Sequence, residues 1–329
     1  MAEIDLVCPW VDGSDPVWQA ERNRYASAEE QKQTLMWRDW GLMRYWFRGV
    51  ERALPWIRKV HFVTWGHLPA WLNTEHPKLH VVRHDVFMPK AYAPTFSSSA
   101  IMLNIHRIPD LAEEFILSND DCFFLDRMKP SDYFQSAIPC DCLHVRPITE
   151  ACTDAFGHIL WNNISCISEQ FDYQSCLAQH REKWFHPCYS EEVLADNRRM
   201  EKMRHFPGFE NPHLPQPFLK STFEQVWEKA HARLHYASKQ KFRTWSDQTE
   251  WLMRDWQLAT GRFTPYMRKG TAIEIGAPKE ELKKALLSTK HSIVCLNEGE
   301  KEVDFLSRRS YVQALFQRVL PEKSAFEKD

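Results

Sequence analysis

Apolar residues along this chain cluster in short continuous runs, separated by longer charged stretches of helical period. That pattern predicts strands buried on both faces between layers of helices. Ile4-Asp5-Leu6-Val7-Cys8-Pro9-Trp10-Val11 reads as a first strand, and Asp12-Gly13-Ser14-Asp15-Pro16 as the tight turn that ends it. From Glu21 to Leu54 the pattern is helical and charged, until Pro55-Trp56 breaks it. Val60-His61-Phe62-Val63-Thr64 supplies a second strand and Leu79-His80-Val81-Val82 a weaker third. Ser97-Ser98-Ser99 caps a helix over 100–108 whose Ile101, Ile105 and Ile108 share one face. The order is strand, helix, strand, so the sheet is expected to be mostly parallel with right-handed crossovers.

The helix over 100–108 leads into Phe115-Ile116-Leu117-Ser118-Asn119-Asp120-Asp121-Cys122-Phe123-Phe124-Leu125, an apolar run with two adjacent carboxylates in its middle. Ionised carboxylates are rarely fully buried without a cationic partner, so Asp120 and Asp121 are expected where a strand ends and meets a ligand. In open α/β sheets nucleotides bind there, and paired carboxylates suit a hard divalent cation bridging to phosphate. An Asx-turn with one salt bridge is the plainer alternative. Asp12 and Asp15 occupy the loop after the first strand, where a glycine lets backbone approach a ligand, or else they merely cap the next helix. Arg44, Arg48 and Arg52 stack at four-residue spacing, as a pyrophosphate grip or as a solvated face.

The second half is more helical. The stretch from Asp154 to Arg204 carries Trp161-Asn162-Asn163, and Glu191-Glu192 to Arg204 has acids early and bases late, which suits a helix dipole. The bases Arg198, Arg199, Lys202 and Arg204 are also an expected docking face for an anionic membrane surface. After the prolines around Pro207 to Pro217, Ser221-Thr222-Phe223-Glu224 fits a capping box, and Thr244-Trp245-Ser246-Asp247 another helix start. Ser292-Ile293-Val294-Cys295-Leu296 is one more buried strand, and Phe305 to Leu320 a closing helix.

Composition removes several classes of function. Lysine plus arginine is 42 against 44 acidic residues in a chain of 329, so no global charge draws it to nucleic acid. Nine cysteines, at 8, 122, 140, 142, 152, 166, 176, 188 and 295, include no Cys-x-x-Cys pair. Their odd number argues against a closed disulfide framework. Met1 is followed directly by Ala2-Glu3-Ile4-Asp5, without a signal-peptide pattern, and no apolar run is long enough to span a bilayer. Reduced thiols in the cytoplasm are the simplest account.

Several of these stretches together resemble one family. Ile4 to Trp18, then Arg38-Asp39-Trp40 through Pro69-Ala70-Trp71-Leu72, look like the first two blocks of the Stealth family. The second block continues through Pro94-Thr95-Phe96 and His106-Arg107-Ile108-Pro109 to Asn119-Asp120-Asp121. His213-Leu214-Pro215-Gln216-Pro217-Phe218-Leu219-Lys220 resembles the third block. Ser292 to Asn297, with Lys323-Ser324-Ala325-Phe326-Glu327, resembles the fourth. These are bacterial capsular and exopolysaccharide phosphotransferases, and the enzyme that tags lysosomal glycoproteins with GlcNAc-1-phosphate is similar to them.

The resemblance implies a Rossmann-like, glycosyltransferase-A-like α/β fold: one catalytic domain over 1–329, with 140–205 as a helical insertion. It implies transfer of hexose-1-phosphate from a UDP-sugar to a hydroxyl of an oligosaccharide or polysaccharide acceptor, leaving UMP. His213 matches the family's His-x-Pro base, in a proline-stiffened loop that holds an imidazole at low entropic cost. Arg243 matches an arginine used near the transferred phosphate. Asp120 and Asp121 are the expected ligands of Mg2+ or Mn2+, Asp121 with a catalytic role as well, and Asp12, Asp15, Arg48 and Asn104 are the donor-binding candidates. At Asn297-Glu298 the chain departs from the family's usual Asn-Asp, which leaves the part played by Asn297 and Glu298 open. The rival readings are a metal-dependent glycosyltransferase that releases UDP, and a non-catalytic member of a capsule-assembly complex.

Overall fold

Strand β1 (Ile4–Pro9) alternates strictly between two cores: Ile4, Leu6 and Cys8 enter one apolar cluster, while Val7 enters the other. A strand buried on both faces must lie inside its sheet, and β1 does. The computed structural model describes residues 3–28, 30–32, 38–149, 155–299 and 304–328. After β1 come β2 (Val60–Thr64), β3 (Leu79–Arg83), β4 (Glu114–Leu117), β5 (Cys122–Phe124), β6 (Phe134–Gln135) and β7 (Ile138–Asp141). Then follow β8 (Gln216–Leu219), β9 (Thr264–Pro265), β10 (Gly270–Glu274) and β11 (Ile293–Asn297).

The main sheet has the order β3-β2-β1-β4-β8. Its first four strands are parallel, with Leu6 opposite Val60 and Ile116 opposite Leu6 in register, and β8 closes one edge antiparallel to β4. Strand order therefore reverses between β1 and β4. The crevice outside the carboxyl ends of those two strands is the place where such sheets bind ligands. The fold is the mostly parallel, Rossmann-like α/β arrangement that the sequence predicts.

Several features differ from the sequence reading. The helix over 100–108 is a short helix Ser98–Met102 followed by a 3-10 turn Ile105–Arg107, and past the helix start expected at 244–247 the helix begins only at Trp251. The run 115–125 is not one strand: it ends as β4, turns at Asn119–Asp121, and resumes as β5, which joins a second sheet of order β10-β11-β5. The stretch 21–54 divides into the helix Pro16–Asn23, a short 3-10 turn Glu30–Lys32 and the helix Met43–Ala53, with 33–37 outside the described residues, as is Cys152. The capping box at Ser221 does not form: Ser221 Oγ donates to Glu113, and the helix Lys220–Lys229 has no side-chain cap. Strand β8 went unread because Pro217 argues against a central strand; at a sheet edge the missing N–H does no harm.

Arg48 requires a correction. It is bound by Glu327 at 2.8 and 3.1 Å and by the carbonyl of Leu320 at 3.0 Å, and Arg52 donates to Val319 O at 2.8 Å. The last carbonyls of the helix Phe305–Val319 have no partner within that helix, and these guanidinium groups satisfy them. Arg48 is therefore a clamp on the C-terminal segment rather than a donor ligand. Arg48→Ala is expected to lower stability by about 2 kcal/mol, the scale of charged hydrogen bonds, while leaving the KM for donor unchanged. Urea denaturation beside steady-state kinetics checks both halves.

The segment between β7 and β8 contributes the helices Ala155–Gln170, Tyr173–Gln179, Arg181–Trp184 and Glu191–Met200. Arg198 and Arg199 fall in the last turn of the last of these, with Arg199 paired to Asp196 at 3.0 Å, while Lys202 and Arg204 lie beyond its end. Among the described residues no helix is long and apolar enough to cross a membrane.

Candidate active site

The turn between β4 and β5 places Asp120 and Asp121 at the switch point. Leu296 N donates to Asp121 O at 2.9 Å from the second sheet, and Ser118 N to Val7 O at 2.9 Å in the main one, so the corner is fixed from both sheets. A cleft of about 140 Å³ opens there, lined by Trp10, Asp39, Asp120, Asp121 and Glu298 among others. Burial and the neighbouring Asp121 charge push the Asp120 carboxyl up to about 7, and Asp39 adds to this. Asp39, Asp120 and Asp121 thus share the lining of one cleft, and carboxylate oxygens are the donor type that hard divalent cations take.

The rim of the cleft carries the departing residue. Glu298 accepts from Trp40 Nε1 at 2.7 Å and lies 3.6 Å from Arg38. Its carboxyl is raised by burial, against the pull of Trp40 and Arg38. The longer side chain thus ties strand β11 to the loop that holds Arg38 and Asp39. Asn297 Oδ1 accepts from the Cys295 thiol at 3.1 Å. Arg38 and Asp39 also line a larger neighbouring cavity of about 530 Å³, together with Gly13, Ser14, Phe305 and Arg309. That volume lies within the range of small-molecule sites.

His213 stands on the other side of Asp121. Its Nε2 is 2.8 Å from Asn119 Nδ2 and 3.6 Å from Asp121 Oδ1. Burial pulls the imidazole down, but the Cys295 thiol and the Asp121 charge outweigh it and raise it to about 9. The acidic corner thus favours the protonated form of this imidazole. The loop that presents it is anchored by Arg254, which is buried, pairs with Asp141 at 2.7 and 3.0 Å, and donates to Glu210 O and Asn211 Oδ1 at 2.8 Å each.

Arg243 is exposed, donates to Ser98 Oγ at 3.1 Å and lies over the Phe156 ring. Its electrostatic link to His213 passes through a residue that sequence reasoning missed. Glu250 is buried, one of its oxygens has no hydrogen-bond partner, and both His213 and Arg243 lower its carboxyl; burial outweighs them and raises it from its ordinary 4.5 to about 7. The loop before it is held by the helix Ala155–Gln170: Asn162 donates to Trp245 O and Asp247 O, and Asn163 exchanges hydrogen bonds with Thr249. The available signal was the polar run Ser246-Asp247-Gln248-Thr249-Glu250 directly ahead of a strongly apolar helix.

A raised carboxyl favours folding below its unfolded pKa and loses that contribution as pH rises through the folded value. Glu250→Gln is therefore expected to match the native protein in Tm near pH 4.5 and to exceed it increasingly between pH 5 and 8. The gap should reach roughly 3 kcal/mol at most. Thermal melts across that range check it; a gap that shrinks with pH would contradict the assignment.

The remaining candidates have local duties. Asp15 caps the helix Pro16–Asn23 through Trp18 N at 2.7 Å. Asp12 accepts from Ser14 N and Oγ, and its own N–H donates to His67. Both belong to the loop whose Gly13 and Ser14 line the larger cavity. Asn104 is buried, donating to Ala100 O and Ser238 Oγ and accepting from Arg107. These bonds tie the helix Ser98–Met102 to the helix His231–Ser238.

Fold and site together define an α/β enzyme of the glycosyltransferase-A-like kind, with an acidic strand-end cleft next to a held histidine. Residues 3–30 match the family description Stealth protein CR1, conserved region 1, and 36–140 match Stealth protein CR2, conserved region 2. The chain is similar along nearly its whole length to a capsular polysaccharide phosphotransferase WcwK of Streptococcus pneumoniae, 35% identical over 99% of both chains. The receptor polysaccharide phosphotransferase WefC of Streptococcus oralis is 34% identical over 99% of this chain and all of its own. The exopolysaccharide phosphotransferase cps2G of Lactiplantibacillus plantarum is 34% identical over 99% and 96%. The chain belongs to the Stealth family, and it is a phosphotransferase.

Proposed function

We propose that the protein transfers a hexose-1-phosphate from a UDP-sugar to a hydroxyl of an oligosaccharide or polysaccharide acceptor. It would act in the cytoplasm during capsular or exopolysaccharide synthesis and release UMP. The observation that carries this reading is the placement of His213 against Asp121 at the switch point of the sheet, beside a cleft lined by Asp39, Asp120, Asp121 and Glu298. The names of the full-length relatives support the reaction class.

Phosphoryl transfer asks for charge neutralisation on the pyrophosphate and removal of one proton from the acceptor. Asp120, Asp121 and Asp39 would hold Mg2+ or Mn2+, which would supply positive charge next to the pyrophosphate. Arg38 at the cleft and Arg243 beyond Glu250 add cationic donors for the phosphoryl oxygens. The nucleotide moiety fits the larger cavity flanked by Gly13, Phe305 and Arg309. His213, oriented by Asn119, accepts the acceptor's proton at Nε2 once the charge of Asp121 is neutralised and the imidazole returns towards neutrality. Purified protein incubated with a panel of UDP-sugars, an oligosaccharide acceptor and Mg2+ or Mn2+ is expected to release nucleotide from one of them. Silence across the panel, with folded protein, would contradict the proposal.

A further inference from the structure

Asp121 faces two ways. Towards the cleft it joins Asp120 and Asp39; on its other side it meets two thiols and an imidazole. We propose that Asp121, Cys122, His213 and Cys295 form a four-ligand site for a thiophilic divalent cation, with Zn2+ the ion that this set fits.

One ligand atom from each residue lies within 4.8 Å of all the others. Cys122 Sγ is 3.4 Å from Asp121 Oδ1, and His213 Nε2 is 3.6 Å from the same oxygen. A tetrahedral zinc ion with bonds of about 2.0–2.3 Å separates its ligand atoms by about 3.3–3.8 Å, so these two contacts already have the spacing of a filled site. The ligands come from three chain segments whose positions are set independently. Cys122 and Cys295 face each other directly in the antiparallel register of β5 and β11. Asp121 is pinned by Leu296 N, and the His213 loop by buried Arg254.

Donor chemistry then selects the ion. Two sulfurs and an imidazole favour zinc over Mg2+ and Mn2+, which prefer all-oxygen donor sets. Four protein ligands close a tetrahedral shell and leave no position for substrate, so the site is a structural or controlling one, not a Lewis acid for the reaction. Filling it costs the two thiol protons and any proton on Nε2, whose lone pair the metal then takes. Zinc would therefore withdraw His213 from proton transfer. That consequence rests on the reading of His213 as the base, whereas occupancy of the site does not.

Co2+ is the probe. The full-length, metal-free protein, reduced with a phosphine, is titrated with Co2+ and followed by absorption. One equivalent is expected to give a sulfur-to-cobalt charge-transfer band and the intense visible bands of tetrahedral cobalt, both lost on adding equimolar Zn2+. Cys122→Ser and Cys295→Ser should each abolish or sharply weaken the charge-transfer band at unchanged far-UV circular dichroism, and Asp120→Asn should keep it. No charge-transfer band in the native protein, or one that survives both cysteine substitutions, overturns the site. Should the serine variants fail to fold, cadmium NMR of the native protein counts the sulfur ligands directly: two are expected, and none would overturn the proposal. In the turnover assay with Mg2+ present, equimolar Zn2+ should reduce the rate at least tenfold. Full activity with the cobalt bands intact would leave the site standing and remove His213 as the base.

Discussion

His213→Ala is expected to lower turnover by roughly 10²–10⁴ with little change in donor affinity, the usual contribution of a positioned proton acceptor. The reason is local: Asn119 and Asp121 orient the ring, and a loop tied down by Arg254 delivers it. The pH profile sharpens the test. Because the acidic corner raises this imidazole to about 9, the rate should climb between pH 7 and 9 as the base loses its proton. Raising the Mg2+ concentration should shift that limb to lower pH, since neutralising Asp121 removes part of what holds the proton. A His213→Ala enzyme with normal turnover, or a flat profile over that range, would move the role elsewhere.

Asp120→Asn and Asp121→Asn should each cost more than about a hundredfold in activity, because loss of even a supporting group around a metal costs 10–100-fold. The two variants should also separate from one another. Asp120 sits raised to about 7 by burial and by Asp121, so Asp120→Asn removes a strained charge and should increase Tm at pH 8 but hardly at pH 4. Activity and stability then change in opposite directions, as expected where function retains an unfavourable charge. If both variants keep near-normal rates, or if EDTA leaves the native enzyme indifferent, the cation site is not here.

How much of this was legible beforehand varied with the kind of interaction. Asp120 and Asp121 could be found because charge inside an apolar run conflicts with burial, and that conflict is visible locally. Strands β1, β2 and β11 were legible for the same local reason. Arg48 was not: its partner Glu327 is 279 positions away, and an arginine row at helical spacing looks the same whether it grips phosphate or caps another helix. The pairing of Cys122 with Cys295 was hidden because it depends on the run 115–125 changing sheets after Asp121. Glu250 was passed over because the apolar helix behind it dominated the pattern, although its support by Asn162 and Asn163 explains why a helical segment from the middle of the chain matters to the site.

The central claim is that phosphorus, and not the anomeric carbon, is attacked. Attack on phosphorus carries the anomeric oxygen over untouched and splits the pyrophosphate between its two phosphorus atoms, leaving UMP and a phosphodiester in the product. Attack on the anomeric carbon releases the whole pyrophosphate as UDP. Chromatography of the nucleotide released with the working donor and acceptor, with a phosphorus NMR spectrum of the saccharide product, separates the two. The account predicts UMP and a phosphodiester resonance; UDP with no phosphodiester signal would contradict it.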